Sequence, residues 1–345
     1  MKPHTLKISG LTLALSLLTM SATGVAARSR HPEPPPPPPP PAPAAAVSLP
    51  TGLVNDAAAY EAYVERLAAT SPAFTDGAGV AQALTASAAF DPKVMLRGSI
   101  AYAAIAALES GAFVSEIRNA GNSPDNRRAM VGYIQANPAY VYVFRGSDEA
   151  AGYAKAALGG AGEHLRATGK AVIASAYSVQ KQAWSKGEIV DRPGRLAAVE
   201  AAASSPVNPA ADRIALLQSA ATGASGLSIK GEPIKPPYGS LVDRALQLAA
   251  IAALGETSNP SYDAVNGVAE DPITGGCLLM ARHNLYQCLA VAKPHYEDIF
   301  CIGQHILTDT GRCLSRNAGL AEPVEVVPVQ APVKAKKAKH PGRRK

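Results

Sequence analysis

Charged and aromatic side chains are scarce in this chain of 345 residues. Asp, Glu, Lys and Arg make up 17% of it and Phe, Trp and Tyr only 5%, whereas 47% of the residues are apolar. This balance excludes a collagen, a coiled coil and a fully disordered chain. About a fifth of the residues are alanine, which favours a helical globular body, and we place that body at residues 47–272.

Alternating β-branched residues, the usual mark of strands, are nearly absent. Only residues 139–144 look strand-like, and one short strand cannot form a sheet alone. Signals for helix starts recur instead. Ser123 and Asn208 each precede a proline, and a capping residue followed by proline is typical of the first turn of a helix. Residues 94–119 read as one apolar helix, and the glycines of residues 159–162 read as a helix break. The predicted fold class is mostly α.

A strong charge of one sign is also lacking from the body. The formal net charge of +6 comes from the ends, because residues 321–345 carry +5 and residues 1–46 carry +3, which leaves −2 for the remainder. The body therefore offers no summed positive field that would draw a polyanion such as nucleic acid.

The first 27 residues have the order of a secretory signal peptide. Lys2 and Lys7 precede an apolar stretch that ends in a small-residue pattern at Ala27. We predict cleavage after Ala27, a periplasmic or secreted protein, and no transmembrane span after processing. A retained anchor is the alternative, although its Ser, Thr and Gly residues make the stretch a poor span. Residues 28–46 are rich in proline and predict a solvated linker of polyproline II character.

Residues 320–345 form a basic tail that carries too little apolar surface to fold. We expect it to be attracted weakly to anionic envelope polymers or lipid head groups, with a strength that salt reduces. A solubilising tail without a partner is the alternative. Its cations are Lys334, Lys336, Lys337, Lys339, Arg343, Arg344 and Lys345.

Complete motifs for catalysis or cofactor binding are missing. Ser178 and Lys181 have the S-x-x-K spacing, but the companion K-T-G and S-D-N elements are absent. A phosphate loop ending at Lys170 would need glycine where His164 stands and a hydroxyl residue where Ala171 stands. His164 itself, a lone histidine, is better explained as a surface residue than as a general base.

Adjacent carboxylates occur twice, as Asp148 with Glu149 and as Glu297 with Asp298. Neighbours in a helix point away from each other, so we interpret all four as solvated residues rather than as a paired acid–base site. The sequence therefore predicts no catalytic, cofactor-binding or metal-binding residue.

The four cysteines all fall in the last third of the chain, within residues 273–319, together with three of the seven histidines. An even, clustered number of cysteines in an exported chain predicts disulfides. A zinc site is the alternative, but neither a C-x-x-C nor an H-x₃₋₅-H pair is present. Residues 276–291 and 295–307, separated by a break at Pro294, predict two antiparallel helices.

Helical geometry predicts which cysteines pair. Cys288 lies six positions before Pro294 and Cys301 seven after it, whereas Cys277 lies seventeen before and Cys313 nineteen after. The two members of each pair are level to within about 3 Å at the rise of an α-helix. We therefore predict the disulfides Cys288–Cys301 and Cys277–Cys313 in a stapled hairpin.

One detail of this hairpin needs a further assumption. In a continuous α-helix, the twelve residues from Cys301 to Cys313 would place Cys313 about 120° away from the face that carries Cys301. We therefore expect the helix to end at residues 308–311, so that the chain can bring Cys313 toward the first helix of the hairpin. The layout is similar in outline to the twin-cysteine helical hairpins called CHCH domains. Those have nine residues between the cysteines of each helix, against ten and eleven here, so neither their import route nor their function is transferred.

These observations predict an exported, non-catalytic binding or structural protein of the periplasm or cell envelope. The alternative is a hydrolase directed at envelope material, with a site that the sequence does not display. It would require an acid, a base or a nucleophile brought together by the fold.

The signal peptide is directly testable. N-terminal sequencing of the exported protein should begin at Arg28, because cleavage follows the small-residue pattern at Ala27. Exported protein that begins at Met1 would contradict this prediction.

Overall fold

The computed structural model describes residues 46–205, 208–257 and 262–322. The predicted signal peptide, its cleavage site at Ala27, all but the last residue of the proline-rich linker, and the cations of the basic tail lie outside the described residues.

The described part of the chain is mostly helical, and its longest non-helical connection is residues 222–239 between the eighth and ninth α-helices. Two 3₁₀ segments, Pro138–Val143 and Trp184–Lys186, and one π-helical segment, Ile302–Thr308, interrupt the α-helices. The α-helices are α1 Thr51–Ala68, α2 Gly77–Ala88, α3 Pro92–Ala107, α4 Gly111–Ala120, α5 Pro124–Ala136, α6 Ser147–Val179, α7 Arg192–Ala203, α8 Ala211–Ala221, α9 Ser240–Ala253, α10 Tyr262–Val268, α11 Pro272–Val291, α12 His295–Cys301 and α13 Asp309–Asn317.

Helices α3 and α9 form the centre of the core. Most of their residues are buried, many of them alanines, and α1 and α6 pack against α3. Close packing is possible because α3 has a glycine at the contact: at Gly98, an added Cβ would lie 2.7 Å from the Cβ of Tyr60 in α1.

By length and hydropathy, no single helix of the described residues qualifies as a membrane span. Helices α3 and α4 qualify when they are taken together, although the chain bends by 92° between them.

Two helix boundaries differ from the sequence prediction. Residues 94–119 are not one helix, because Ser110 starts α4: its hydroxyl accepts from the backbone N–H of Phe113 at 3.4 Å. The Asn208 signature does not cap α8, which begins at Ala211 without a side-chain cap. The cap at Ser123 is present as predicted, with its hydroxyl accepting from Asn126 N–H at 3.2 Å.

The strand-like interpretation of residues 139–144 is wrong. This run is the 3₁₀ segment Pro138–Val143, opened by Asn137, whose side chain accepts from the backbone N–H of Ala139 at 3.0 Å. Within the described residues no strand is available to pair with it. Local capping therefore decides the conformation, and Val141 is buried as a single anchor.

The predicted break at residues 159–162 is also wrong, because α6 runs through it for 33 residues. Two of its glycines, Gly162 and Gly169, lie where the C-terminal helices approach closely. A Cβ at Gly162 would lie 2.6 Å from the carbonyl oxygen of Gly311, and a Cβ at Gly169 would lie 2.7 Å from that of Gly303. Tertiary packing of this face outweighs the roughly 1 kcal/mol by which each glycine disfavours a helix.

The C-terminal hairpin consists of α11 on one side and α12, the π segment and α13 on the other. Its disulfides are Cys277–Cys313 and Cys288–Cys301, with Cα atoms 5.7 and 5.9 Å apart. These are the two pairs that the spacing from Pro294 predicts.

The expected helix end at residues 308–311 does not occur, and a π-helical segment replaces it. A π turn closes its hydrogen bond one residue later than an α turn, so it needs one more residue for the same rotation. The twelve residues from Cys301 to Cys313 therefore turn through about the same angle as eleven α-helical residues, which leaves Cys313 about 20° from the helix face that carries Cys301. The hydroxyl of Thr308 donates to the carbonyl of Gly303 at 2.8 Å within this wider turn. The extra residue, rather than a helix end, brings Cys313 to face α11.

The glycine contact between α6 and the hairpin generates a prediction. Gly169→Ala should lower the free energy of unfolding by about 1–3 kcal/mol, because the added Cβ overlaps the π segment and forces a backbone shift. Gly160→Ala is the matched control on the same helix, since nothing lies within 4 Å of its Cβ position; it should be neutral or stabilise by up to about 1 kcal/mol. Urea unfolding with the disulfides intact measures both, and equal effects would contradict the close packing.

Candidate functional site

The S-x-x-K pair has no catalytic geometry. The Ser178 hydroxyl donates to the carbonyl of Ser175 at 2.8 Å within its own helix, and it is exposed at the end of α6. His164 is exposed on the same helix, as predicted, and residues 159–170 are helical, so they form no phosphate-binding loop.

The carboxylates of Asp148 and Glu149 accept hydrogen bonds from other residues of the protein. Glu149 accepts from the hydroxyl of Ser110 at 2.6 Å and from that of Tyr153 at 2.9 Å. The side chain of Asp148 accepts from the backbone N–H of Glu149. Both lie in the first turn of α6, where negative charge is stabilised by the helix dipole.

The interpretation of Asp298 as a solvated residue is wrong. Its carboxylate lies 2.6 Å from the guanidinium of Arg195, and the two side chains are only 3% and 8% exposed. Arg195 and Arg192 of α7 also donate to backbone carbonyls at the end of α11, among them that of Ala292. Burial raises the pKa of Asp298 to about 6, although the nearby positive charge of Arg195 opposes the rise. This ion pair joins α7 to the hairpin.

A cavity of about 300 Å³ lies between α1, α3 and the segment that leads into α8. Its lining is largely apolar and aromatic with a few polar groups, which is the usual composition of a small-molecule site. The lining residues are Asn55, Asp56, Ala59, Tyr60, Tyr63, Phe90, Asp91, Val94, Met95, Ser205, Pro209 and Ile214.

The aromatic wall of this cavity is held from both sides. The rings of Tyr63 and Phe90 stack with centroids 4.5 Å apart, and the guanidinium carbons of Arg66 and Arg282 lie 5.6 Å from the centroids of Tyr63 and Phe90, respectively. The Tyr63 hydroxyl donates to the carbonyl of Ser87 at 2.9 Å. The wall is therefore a preformed surface rather than two freely rotating side chains.

Tyr60 supplies the one buried polar group of the lining that is unsatisfied. Its side chain is 2% exposed, and its hydroxyl has no hydrogen-bond partner in the described part of the chain. Burial raises the pKa of this phenol far above its usual value, so the hydroxyl stays neutral. The hydroxyl oxygen is completely buried, so the ring of Tyr60, and not its hydroxyl, forms part of the lining.

Two carboxylates lie at the cavity, each with one oxygen engaged. Asp56 accepts from the Nε–H of Arg97 at 2.9 Å, and Asp91 caps α3 by accepting from the backbone N–H of Lys93 at 2.7 Å. The sequence analysis gives no role to any residue of this lining, because none of them belongs to a motif.

A second concavity, of about 400 Å³, lies between the end of α6 and the hairpin. Tyr177, Tyr296 and Phe300 line it, beside the Cys288–Cys301 disulfide. Tyr177 is 59% exposed, so the wall of this groove is largely solvated already. The cavity at Tyr60 is the better candidate because its wall is buried and preformed.

Among residues 46–205, 208–257 and 262–322, no three His, Cys, Asp or Glu residues are placed to hold a metal ion. Comparison of the chain with protein-family models, with curated proteins and with solved structures yields no significant match. The function must therefore be argued from the cavity itself.

The Asp298 ion pair predicts a pH dependence of stability. Because the folded-state pKa is about 6, above the ordinary value, the contribution of this carboxyl is full below about pH 4 and is lost as the pH rises through about 6. The free energy of unfolding of the wild type minus that of Asp298→Asn should fall between pH 4 and pH 7, by up to about 3 kcal/mol. Urea unfolding across this range measures the difference, and a difference that is constant or rises with pH would contradict the assignment.

Proposed function

We propose that the protein is an exported binding protein of the periplasm or cell envelope, and that it takes a small, largely apolar ligand in the cavity between α1 and α3. The observation that carries the proposal is the cavity of about 300 Å³ with the aromatic wall of Tyr63 and Phe90. A concave, preformed and mostly apolar site with a few polar groups is what small ligands require.

Two further observations support export. The described residues contain two disulfides and no free cysteine, a state that persists in an oxidising compartment. The N-terminal residues have the order of a signal peptide.

A binding role fits the lining better than hydrolysis does. A hydrolase of the serine type needs a nucleophilic hydroxyl next to a base, and one of the two-carboxylate type needs an acid and a base that face the same bond. The one serine of the lining, Ser205, donates to the carbonyl of Ala201 at 3.4 Å instead. Of the two carboxylates, Asp56 is paired with Arg97 and Asp91 caps α3, so both are held by the protein.

Binding of the neutral fluorescent probe N-phenyl-1-naphthylamine tests the proposal. The wild type should bind it saturably, and Ile214→Trp should weaken binding at least tenfold because the indole fills the cavity. Leu216→Trp is the matched control on the same helix: its side chain is partly exposed and does not line the cavity, so its binding should equal that of the wild type.

Circular dichroism checks that each variant is folded. If Ile214→Trp does not fold, the wild type still provides a test, because a ligand that binds only the folded state must raise the melting temperature. The absence of saturable binding to the wild type, or equal binding by the two Trp variants, would contradict the proposal.

A further inference from the structure

We propose that the exposed face of α11 is the contact surface of a homodimer, in which the same helix of a second copy of this chain lies antiparallel against it. This face is separate from the cavity between α1 and α3, so the proposal does not depend on a ligand there.

Helix α11 is apolar on both of its sides. One side packs into the protein through Leu278, Leu285 and Leu289, which are buried. The other side is exposed, yet four of the nine large apolar side chains that are exposed in the described part of the chain belong to this helix of 20 residues. They are Ile273, Leu279, Met280 and Val291, between 47% and 73% exposed. A surface helix normally has polar residues on its outer side, so this concentration indicates a contact surface.

The exposed face also carries no formal charge. Arg282 is the one charged residue of α11, and it is directed into the protein, because it donates to the carbonyl of Phe90 at 2.9 Å and lies over the ring of the same residue. A nucleic acid or a charged peptide would find no opposite charge on this face. The same uncharged face of a second copy can be buried without leaving a charge unpaired.

Exposed positions of α11 follow one another in alternating steps of three and four residues. An average step of 3.5 residues is the spacing at which two helices stay in contact along their length. The stripe extends over about 26 Å at the rise of an α-helix. Its members, all of them exposed, are Ile273, Gly276, Met280, His283, Gln287 and Ala290.

This stripe is complementary to itself when it is reversed. In an antiparallel pair centred between residues 281 and 282, every member faces another member of the stripe, and each pair occurs twice across the two-fold axis. The facing pairs are Ile273 with Ala290, Gly276 with Gln287, and Met280 with His283.

The facing pairs also match in size. Opposite Ile273 and Gln287 stand an alanine and a glycine, so a large side chain meets a small one at these positions and the two helices can approach closely. Within its own chain, Gly276 has nothing within 4 Å of its Cβ position, so the space there is open. A second copy supplies this match by symmetry, which is why we assign the face to self-association.

The size of the stripe sets the strength of the dimer. Two helices in contact over this length bury on the order of 1,000 Å² in total, which is the lower limit for a specific interface. We therefore expect a reversible dimer of micromolar affinity rather than an obligate one.

Sedimentation equilibrium of the full mature protein tests the proposal. Between about 1 and 500 μM, the wild type should pass from monomer to dimer. Gly276→Trp should raise the dissociation constant at least tenfold, because the indole occupies the space that Gln287 of the second copy needs. Gly160→Trp is the matched control, since Gly160 is also an exposed glycine within a helix and has an open Cβ position; it should dimerise like the wild type.

Charge pairs test the register. Met280→Lys brings two ammonium groups close to the two-fold axis and should also weaken the dimer at least tenfold. Adding His283→Glu places an opposite charge at the facing position and should restore most of the lost affinity. Adding Gln287→Glu instead is the control: residue 287 faces Gly276, one helical turn away, so the dimer should stay weak.

Circular dichroism checks that each variant is folded. If Gly276→Trp does not fold, Met280→Lys provides the same comparison at an exposed side chain. A wild type that is monomeric over the whole range, or a dimer that is unchanged in both Gly276→Trp and Met280→Lys, would overturn the proposal. Equal restoration by His283→Glu and Gln287→Glu would overturn the antiparallel register.

Discussion

The close backbone approach between helix α6 and the C-terminal hairpin is the constraint on which the rest of this structure depends. Helix α6 contacts the π segment and α13 through Gly162, Gly169, Gly303 and Gly311, at distances that leave no room for a Cβ atom. This contact explains why the 33-residue helix has glycine at positions 162 and 169 of its interior. It also places the π turn against α6, and the π turn in turn sets the rotation that brings Cys313 to Cys277. Glycine packing, helix register and disulfide pairing are therefore parts of one arrangement.

The same hairpin reaches the candidate site. Arg282 lies on α11 between the two disulfide-bonded cysteines of that helix, donates to the carbonyl of Phe90, and covers the outer face of its ring. Phe90 stacks on Tyr63, which lines the cavity. The disulfides thus restrain a side chain that supports the aromatic wall, and the buried Arg195–Asp298 pair restrains the other end of the hairpin. A binding role with a preformed site requires rigidity of this kind, because ordering a loose wall would reduce affinity.

Sequence reasoning succeeded where a feature depends on neighbouring residues or on simple counting. The cap at Ser123 follows from a local pattern, and counting outward from Pro294 identified the cysteines that are level in the hairpin. It failed where distant segments compete with local preference. The glycines of α6 read as a break, residues 139–144 read as a strand, and Asp298 read as solvated. For the glycines and for Asp298 the deciding partner lies elsewhere in the chain, whereas for residues 139–144 the local cap at Asn137 outweighs the strand-like composition.

The sequence by itself determined the helical class, the clustering of the cysteines and the charge difference between the body and the ends, because these follow from composition and short-range spacing. Only the tertiary structure decided where a ligand can bind. Tyr60, Tyr63, Phe90 and Asp91 have no motif in common, and they line one cavity because α1 and α3 cross at Gly98, where their backbones can approach. A cavity is a property of packing between segments distant in sequence, so its position and lining cannot be obtained from any one segment alone.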